Sequence, residues 1–249
     1  HMECLLLFRM GDFFLFFYED AIIASRVLGI ALTKRNKNGA DEIAMCGVPH
    51  HALESYLKKL IDEEFKVAIC DQFETPEEAK KRGGYKAVVE RQVTRVITPG
   101  TIIEENLLDS GLPSYLVSVH FGKRCGVAVV DLSTSQLSSL ILAPGEVIDY
   151  LAQIKPREIL LAEKMRGDDI VRQITSLNMR ISYQVDSIFA ESKCQKIITD
   201  FYIIKSVNAI GELASSQVVA LGVLLEYLTL TQKANLPKLP PPRVVNYHN

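Results

Sequence analysis

The feature that most restricts the fold is a break near the middle of the chain. From Pro99-Gly100 to Pro113 the sequence passes through Glu104, Glu105, Asn106, Asp109 and Gly111. Turn formers and charges at that density interrupt helix and strand alike. The break divides 249 residues into blocks at 3–112 and 113–249, each long enough to bury a core of its own. Two domains are expected.

In the first block, Leu5–Phe8 reads as a strand, followed by a turn at Gly11-Asp12 and a run of aromatics, Phe13, Phe14, Phe16, Phe17 and Tyr18. Apolar residues at helical spacing from Glu19 to Leu28 predict a helix that Gly29 stops. Strands are expected at Ile30–Thr33, Ile43–Cys46, Phe65–Gln72 and Ala87–Thr98, with a helix from about His51 to Glu64. Lys34–Asp41, holding Asn36, Asn38 and Gly39, reads as a loop or hairpin tip, and Lys80–Lys86 as a polar, basic loop. In the second block three successive strands are expected at Tyr115–Phe121, Cys125–Asp131 and Leu137–Leu142. Alternating helix and strand follow, then helices at Cys194–Phe201 and Leu213–Thr229. Antiparallel strands leading into alternating elements predict a mixed α/β fold.

Composition narrows the function classes. Residues 1–110 hold 14 Lys and Arg against 18 Asp and Glu, a net of −4; the remainder holds 14 against 12, a net of +2. A domain that grips DNA mainly through phosphates is normally basic. DNA contact made here should therefore be local, and weak on its own. The five cysteines are scattered with no C-x-x-C, which suits reduced thiols in a cytoplasm. No apolar stretch reaches the roughly 20 residues of a membrane-spanning helix. No G-x-x-x-x-G-K-[ST] occurs, so ATP hydrolysis is not expected of this chain. Cys46, His50 and His51 fit no common zinc spacing, and no metal ligand or catalytic residue is assigned. His1-Met2 reads as the remnant of a tag.

Five motifs carry a resemblance: Arg9-Met10-Gly11-Asp12-Phe13, Leu32-Thr33-Lys34-Arg35, Cys46-Gly47-Val48-Pro49-His50-His51-Ala52, Val67-Ala68-Ile69-Cys70-Asp71-Gln72 and Val96-Ile97-Thr98-Pro99-Gly100-Thr101. In this order they resemble the first domain of the MutS family. Beyond the break, Val130-Asp131-Leu132-Ser133-Thr134 and the Leu221–Leu230 helix are similar, more diffusely, to that family's connector. The resemblance implies a mismatch-recognition domain followed by a ribonuclease-H-like connector, the first two domains of a longer protein. It implies mismatched double-stranded DNA as ligand, a MutL-like partner through the connector and self-association of the longer protein. ATP and Mg would belong to an ATPase domain outside this chain.

The resemblance also assigns site residues. Phe13 matches the aromatic of the family's Phe-x-Glu motif, which wedges beside a mispaired base and stacks on it; Leu15 stands where the family has Glu. Leucine neither donates nor accepts a hydrogen bond. A lost carboxylate, a relative with another lesion preference and an anomaly in the sequence all stay open. Lys34 and Arg35 match a pair read as phosphate contacts, with a solvated strand end as the alternative. Met10 and Met45 would flank the wedge, or else fill core space. Taken alone, Phe13 is one aromatic among five and reads as core; the motif around it favours the wedge.

Two other classes remain. Asp131, ending a strand, could belong to a metal-dependent nuclease, but such sites need several converging carboxylates and the neighbouring strands hold none. A turn residue is the plainer reading. The second alternative is an interaction module, should Leu15 impair mismatch reading.

Overall fold

Along Phe13–Phe17 burial alternates residue by residue, Phe14 and Phe16 inward and Phe13, Leu15 and Phe17 outward. That is the mark of a strand with one covered face. The computed structural model describes residues 4–35, 42–102 and 112–248. The expected hairpin tip at Asn36, Asn38 and Gly39, most of the break from Glu104 to Gly111, and His1-Met2 lie outside the described residues. Two compact units emerge. One holds the described residues up to Pro99 and Thr231–Asn235; the other holds those of Gly100–Ile103, Ser110–Leu230 and Leu236–Asn249.

The first unit runs β1 (Leu5–Met10), β2 (Phe13–Phe17), α1 (Tyr18–Leu28), β3 (Thr33–Arg35), β4 (Ile43–Pro49), α2 (Leu53–Asp62), β5 (Val67–Gln72), α3 (Pro76–Gly83) and β6 (Arg91–Ile97). Its sheet order is β3-β4-β2-β1-β5-β6. The β1–β5 pair is parallel and the other pairs are antiparallel. Leu5, Leu7, Phe14, Phe16, Cys46 and Val48 fill one face with Ala21, Ala24, Leu57 and Leu60 of α1 and α2. Cys46 Sγ donates to Ala21 O at 3.4 Å, which fixes α1 on that side.

Two local expectations for this unit need correcting. The strand expected at Ile30–Thr33 forms instead at Thr33–Arg35. Ser25 O accepts from Gly29 N and Ile30 N, and Ser25 Oγ donates to Ile30 O at 2.7 Å, so closing α1 uses the groups a ladder would need. The basic loop expected at Lys80–Lys86 begins as helix. Thr75 caps α3, with Glu78 N to Thr75 Oγ1 at 3.2 Å and Thr75 N to Glu78 Oε2 at 2.8 Å, and Pro76 opens its first turn.

The second unit runs β7 (Tyr115–His120), β8 (Cys125–Asp131), β9 (Gln136–Leu142), α4 (Val147–Ile154), β10 (Glu158–Ala162), α5 (Asp169–Ser176), β11 (Ile181–Gln184), α6 (Glu191–Tyr202), α7 (Ser215–Gln232) and β12 (Arg243–Val244). The sheet order is β11-β10-β7-β8-β9-β12, with β7, β8 and β9 antiparallel and β10 and β11 parallel to β7. Val117, Val127, Val129, Leu140, Ile159 and Leu161 pack with α4 and α5 on one face. Small residues line the other: Ser118, Gly126, Ala128, Ser139 and Ser182. They let α7 approach closely. A Cβ on Gly126 would overlap the backbone of Ser216. Buried Glu158 accepts from Tyr227 Oη, Ser182 Oγ and Gly100 N, which satisfies a carboxylate that burial would otherwise penalise. Both units have the mixed α/β character expected.

Candidate nucleic-acid interface

Strand direction gathers several segments at one end of the first sheet. β1 and β5 are parallel neighbours, β2 and β6 start where they stop, and β4 ends beside the start of β2. The Gly11-Asp12 turn, Pro49-His50 and the Phe73–Glu90 connection therefore share that end. Gly11 sits at φ +61°, open to glycine at little cost. Asp12 O accepts from His50 N at 2.8 Å, tying the turn to the end of β4.

Phe13 opens β2 from this turn with 52% of its surface exposed, against 4% for Phe14. Burying a Phe side chain is worth about 1.5–3 kcal/mol, so half-exposure forgoes on the order of 1 kcal/mol. Met10 pairs with Phe13 across β1, and Pro49 across β4. Leu15 follows on the same face, half-buried between Phe8 and Gly47. A Cβ on Gly47 would come within 2.5 Å of Leu15 Cδ2, so Leu15 lies across bare backbone. Phe8 and Phe17 meet edge to face behind it at 5.6 Å.

Met45 shares this face but pairs with Phe17, four residues along β4 from Pro49. That is roughly 14 Å from Phe13 at the usual rise per residue. Lys34 and Arg35 lie on the outer strand β3, opposite Ala44 and Ile43, towards the other end of the sheet. Arg35 shares the Phe13 face by its register. Lys34 turns to the other and pairs with Glu42 at 2.7 Å, an exposed ion pair worth about 0–1 kcal/mol. The structure thus joins Phe13, Met10 and Leu15, and sets Met45, Lys34 and Arg35 apart from them.

Cys46, His50 and Asp131 are engaged elsewhere, and His51 is exposed. The Cys46 thiol is pushed up to about 11 by burial. His50 stacks on Phe14 with ring centres 5.4 Å apart. Asp131 Oδ1 accepts from Ser133 N at 3.0 Å and Ser133 Oγ at 2.6 Å, shaping the β8–β9 turn. Among the described residues no group of three or more His, Cys, Asp or Glu converges to hold a metal ion. No described helix is long and apolar enough to cross a membrane.

The Phe73–Glu90 connection, expected from Lys80, Lys81, Arg82 and Lys86 to be a solvated basic loop, holds a helix that was not expected and Tyr85, 93% exposed among lysines. The signal was present as Thr75-Pro76-Glu77-Glu78, a capping box with proline at the first helical position.

An outward aromatic at the end of a half-open sheet in one unit, and a sheet covered on both faces in the other, define a protein of two mixed α/β domains. Residues 1–106 match the family model for MutS domain I, and residues 114–240 match that for MutS domain II. The chain belongs to the MutS family. Over its whole length it is 61% identical to the DNA mismatch repair protein MutS of Rickettsia felis, covering 29% of that protein. It is 61% identical to that of Rickettsia massiliae and 58% to that of Rickettsia bellii (strain OSU 85-389), covering 28% of each. The chain thus spans less than a third of the length of these relatives.

Proposed function

We propose that the first unit detects mispaired or unpaired bases in double-stranded DNA by inserting Phe13 into the duplex. The observation that carries this reading is the half-exposed Phe13 ring, held at a strand start between Met10 and Pro49. A wedge between base steps costs a few kcal/mol of unstacking, and less where a mispair already stacks poorly. Detection then follows deformability more than sequence. Met10 and Met45 supply soft apolar contact along the face. Arg35 neutralises phosphate, and Lys34 does so after giving up Glu42. With Leu15 beside the wedge, the hydrogen bond that a carboxylate would make to the intruded base is missing.

This part of the protein is non-catalytic and holds no cofactor; ATP and Mg act in a part outside the chain. The second domain, from about residue 113, is a ribonuclease-H-like connector that meets a MutL-like partner. The longer protein self-associates and works in the cytoplasm. The deciding measurement compares mismatch with homoduplex affinity in the full-length protein, for the parent and for Phe13→Ala. The ratio should fall towards one; an unchanged ratio overturns the wedge.

A further inference from the structure

We infer that the β5–β6 connection is a second DNA contact, in which Lys80, Lys81 and Lys86 hold the phosphodiester backbone and Tyr85 packs against the sugar beside it. The inference rests on the proposed DNA-binding reading of the first unit. It starts from how firmly this connection is built. Besides the Thr75–Glu78 cap, Arg82 Nη2 donates to Glu74 Oε1 at 2.7 Å and Arg82 Nε to Glu74 Oε2 at 3.2 Å. Arg82 Nη2 also reaches Val88 O at 3.2 Å, Glu90 N donates to Glu74 Oε1 at 3.0 Å, and Phe73 N donates to Glu90 O at 2.8 Å. A connection tied at this many points is a platform.

The platform presents two rings to solvent, Phe73 at its start and Tyr85 near its tip, and three lysines besides the engaged Arg82. Tyr85 follows Gly84, which sits at φ +79°, and Lys80 Nζ lies 5.3 Å from the ring centre. Lys80, Lys81 and Lys86 are all exposed. Charge is sorted along α3. Glu74 and Glu90 are taken up by Arg82, the latter at 3.7 Å. Glu77 and Glu78 stand in the first turn, with the lysines at and beyond the last. The Glu78 carboxylate is turned back onto Thr75 N by the cap, which leaves Glu77, one turn from Lys80 and Lys81, against three lysines. The lysines therefore act on a partner as a local positive patch, inside a block whose net charge is negative.

Position selects the partner. β1 and β5 are parallel neighbours, so this patch emerges at the same sheet end as Phe13. A duplex entered by Phe13 carries a continuous polyanion, one charge per roughly 1.7 Å of axis. Lysines beside the wedge meet it as point charges.

The test uses the full-length protein, a homoduplex and a duplex with one unpaired base, titrated over a salt series. Replacing Lys80, Lys81 and Lys86 together by Ala should flatten the slope of log affinity against log salt by about 2 to 3. Affinity for both duplexes should fall by about tenfold or more, with their ratio unchanged. Lys86→Gln alone should flatten the slope by about 1. Tyr85→Ala should weaken both duplexes without moving the slope, and Tyr85→Phe should restore binding. Unchanged affinity and slope in the triple variant, at the parent melting temperature, reject this contact even if Phe13→Ala abolishes discrimination. A flattened slope with no effect of Phe13→Ala keeps the contact and rejects the wedge. A parent that binds neither duplex rejects both.

Discussion

Along its five residues β2 alternates between covered and open, whereas all seven residues of β8 are buried. The two sheets belong to the same class, yet one leaves Leu6 and Phe13 exposed, with Phe8, Leu15 and Phe17 half-buried, while the other is covered by α4 and α5 on one side and α7 on the other. A closed sheet turns its side chains into packing and leaves only loops for contact. A half-open sheet keeps a rigid row of side chains for a ligand, at the cost of apolar surface left in water. The first unit thus keeps a row of side chains open to a ligand, and the second is packed on both faces.

The sharpest way to break this comparison is to truncate adjacent rings of β2. Phe14→Ala should cost about 3–5 kcal/mol of stability, because Phe14 is buried against His50. Phe13→Ala should cost only about 1 kcal/mol and change DNA discrimination instead. Denaturant unfolding of both variants checks this. Equal losses would place Phe13 in the core and close the open face. In the second unit, Gly126→Ala should cost about 3 kcal/mol, since the new methyl meets Ser216 backbone rather than a movable side chain. A near-neutral melt would mean that α7 does not seal that face. Tyr227→Phe removes one donor to buried Glu158 and should cost about 1–2 kcal/mol. Tyr227→Leu should cost more, through lost ring packing as well as the lost donor.

The sequence made some of this plain and concealed the rest, for physical reasons. Three strands in succession in the second block were readable because β-branched runs between turn signals have few alternatives. The aromatic run was not: with Phe at positions 13, 14, 16 and 17, polarity cannot mark the outward face, and only pairing to β1 and β4 does. Motif resemblance named Phe13 before geometry could. Lys34 and Arg35 look equivalent in sequence, yet strand alternation sends them to opposite faces and gives Lys34 an acidic partner. The helix within Phe73–Glu90 escaped notice because its charges suggested a solvated loop, although the cap that starts it was written in Thr75 and Glu78.

A smaller expected effect sharpens what the open face reads. Leu15→Glu in the full-length protein places a hydrogen-bond acceptor beside Phe13, the proposed wedge. One such bond is worth about 0.5–1.5 kcal/mol net, so mismatch over homoduplex affinity should rise about two- to tenfold. The site can take the change, since Gly47 leaves room beneath the side chain. A flat or lower ratio would mean that residue 15 does not reach the base.

Each unit also buries a cysteine thiol on a covered face. Cys46 in the first and Cys194 in the second are buried, and burial pushes each thiol up to about 11. In the unfolded chain such thiols ionise near about 8.5. The folded state thus favours the neutral form. Its contribution is fully present below about pH 8.5 and drains away as pH climbs towards about 11. Unfolding midpoints should accordingly drop between pH 8 and pH 10. Alkylation of the native chain at about pH 8 should reach half-buried Cys4 well before Cys46 or Cys194. Rapid labelling of Cys46 with Cys194 still protected would show the covered face of the first sheet opening on its own. The contrast between the two units would then lie in local stability as well as in which faces are covered.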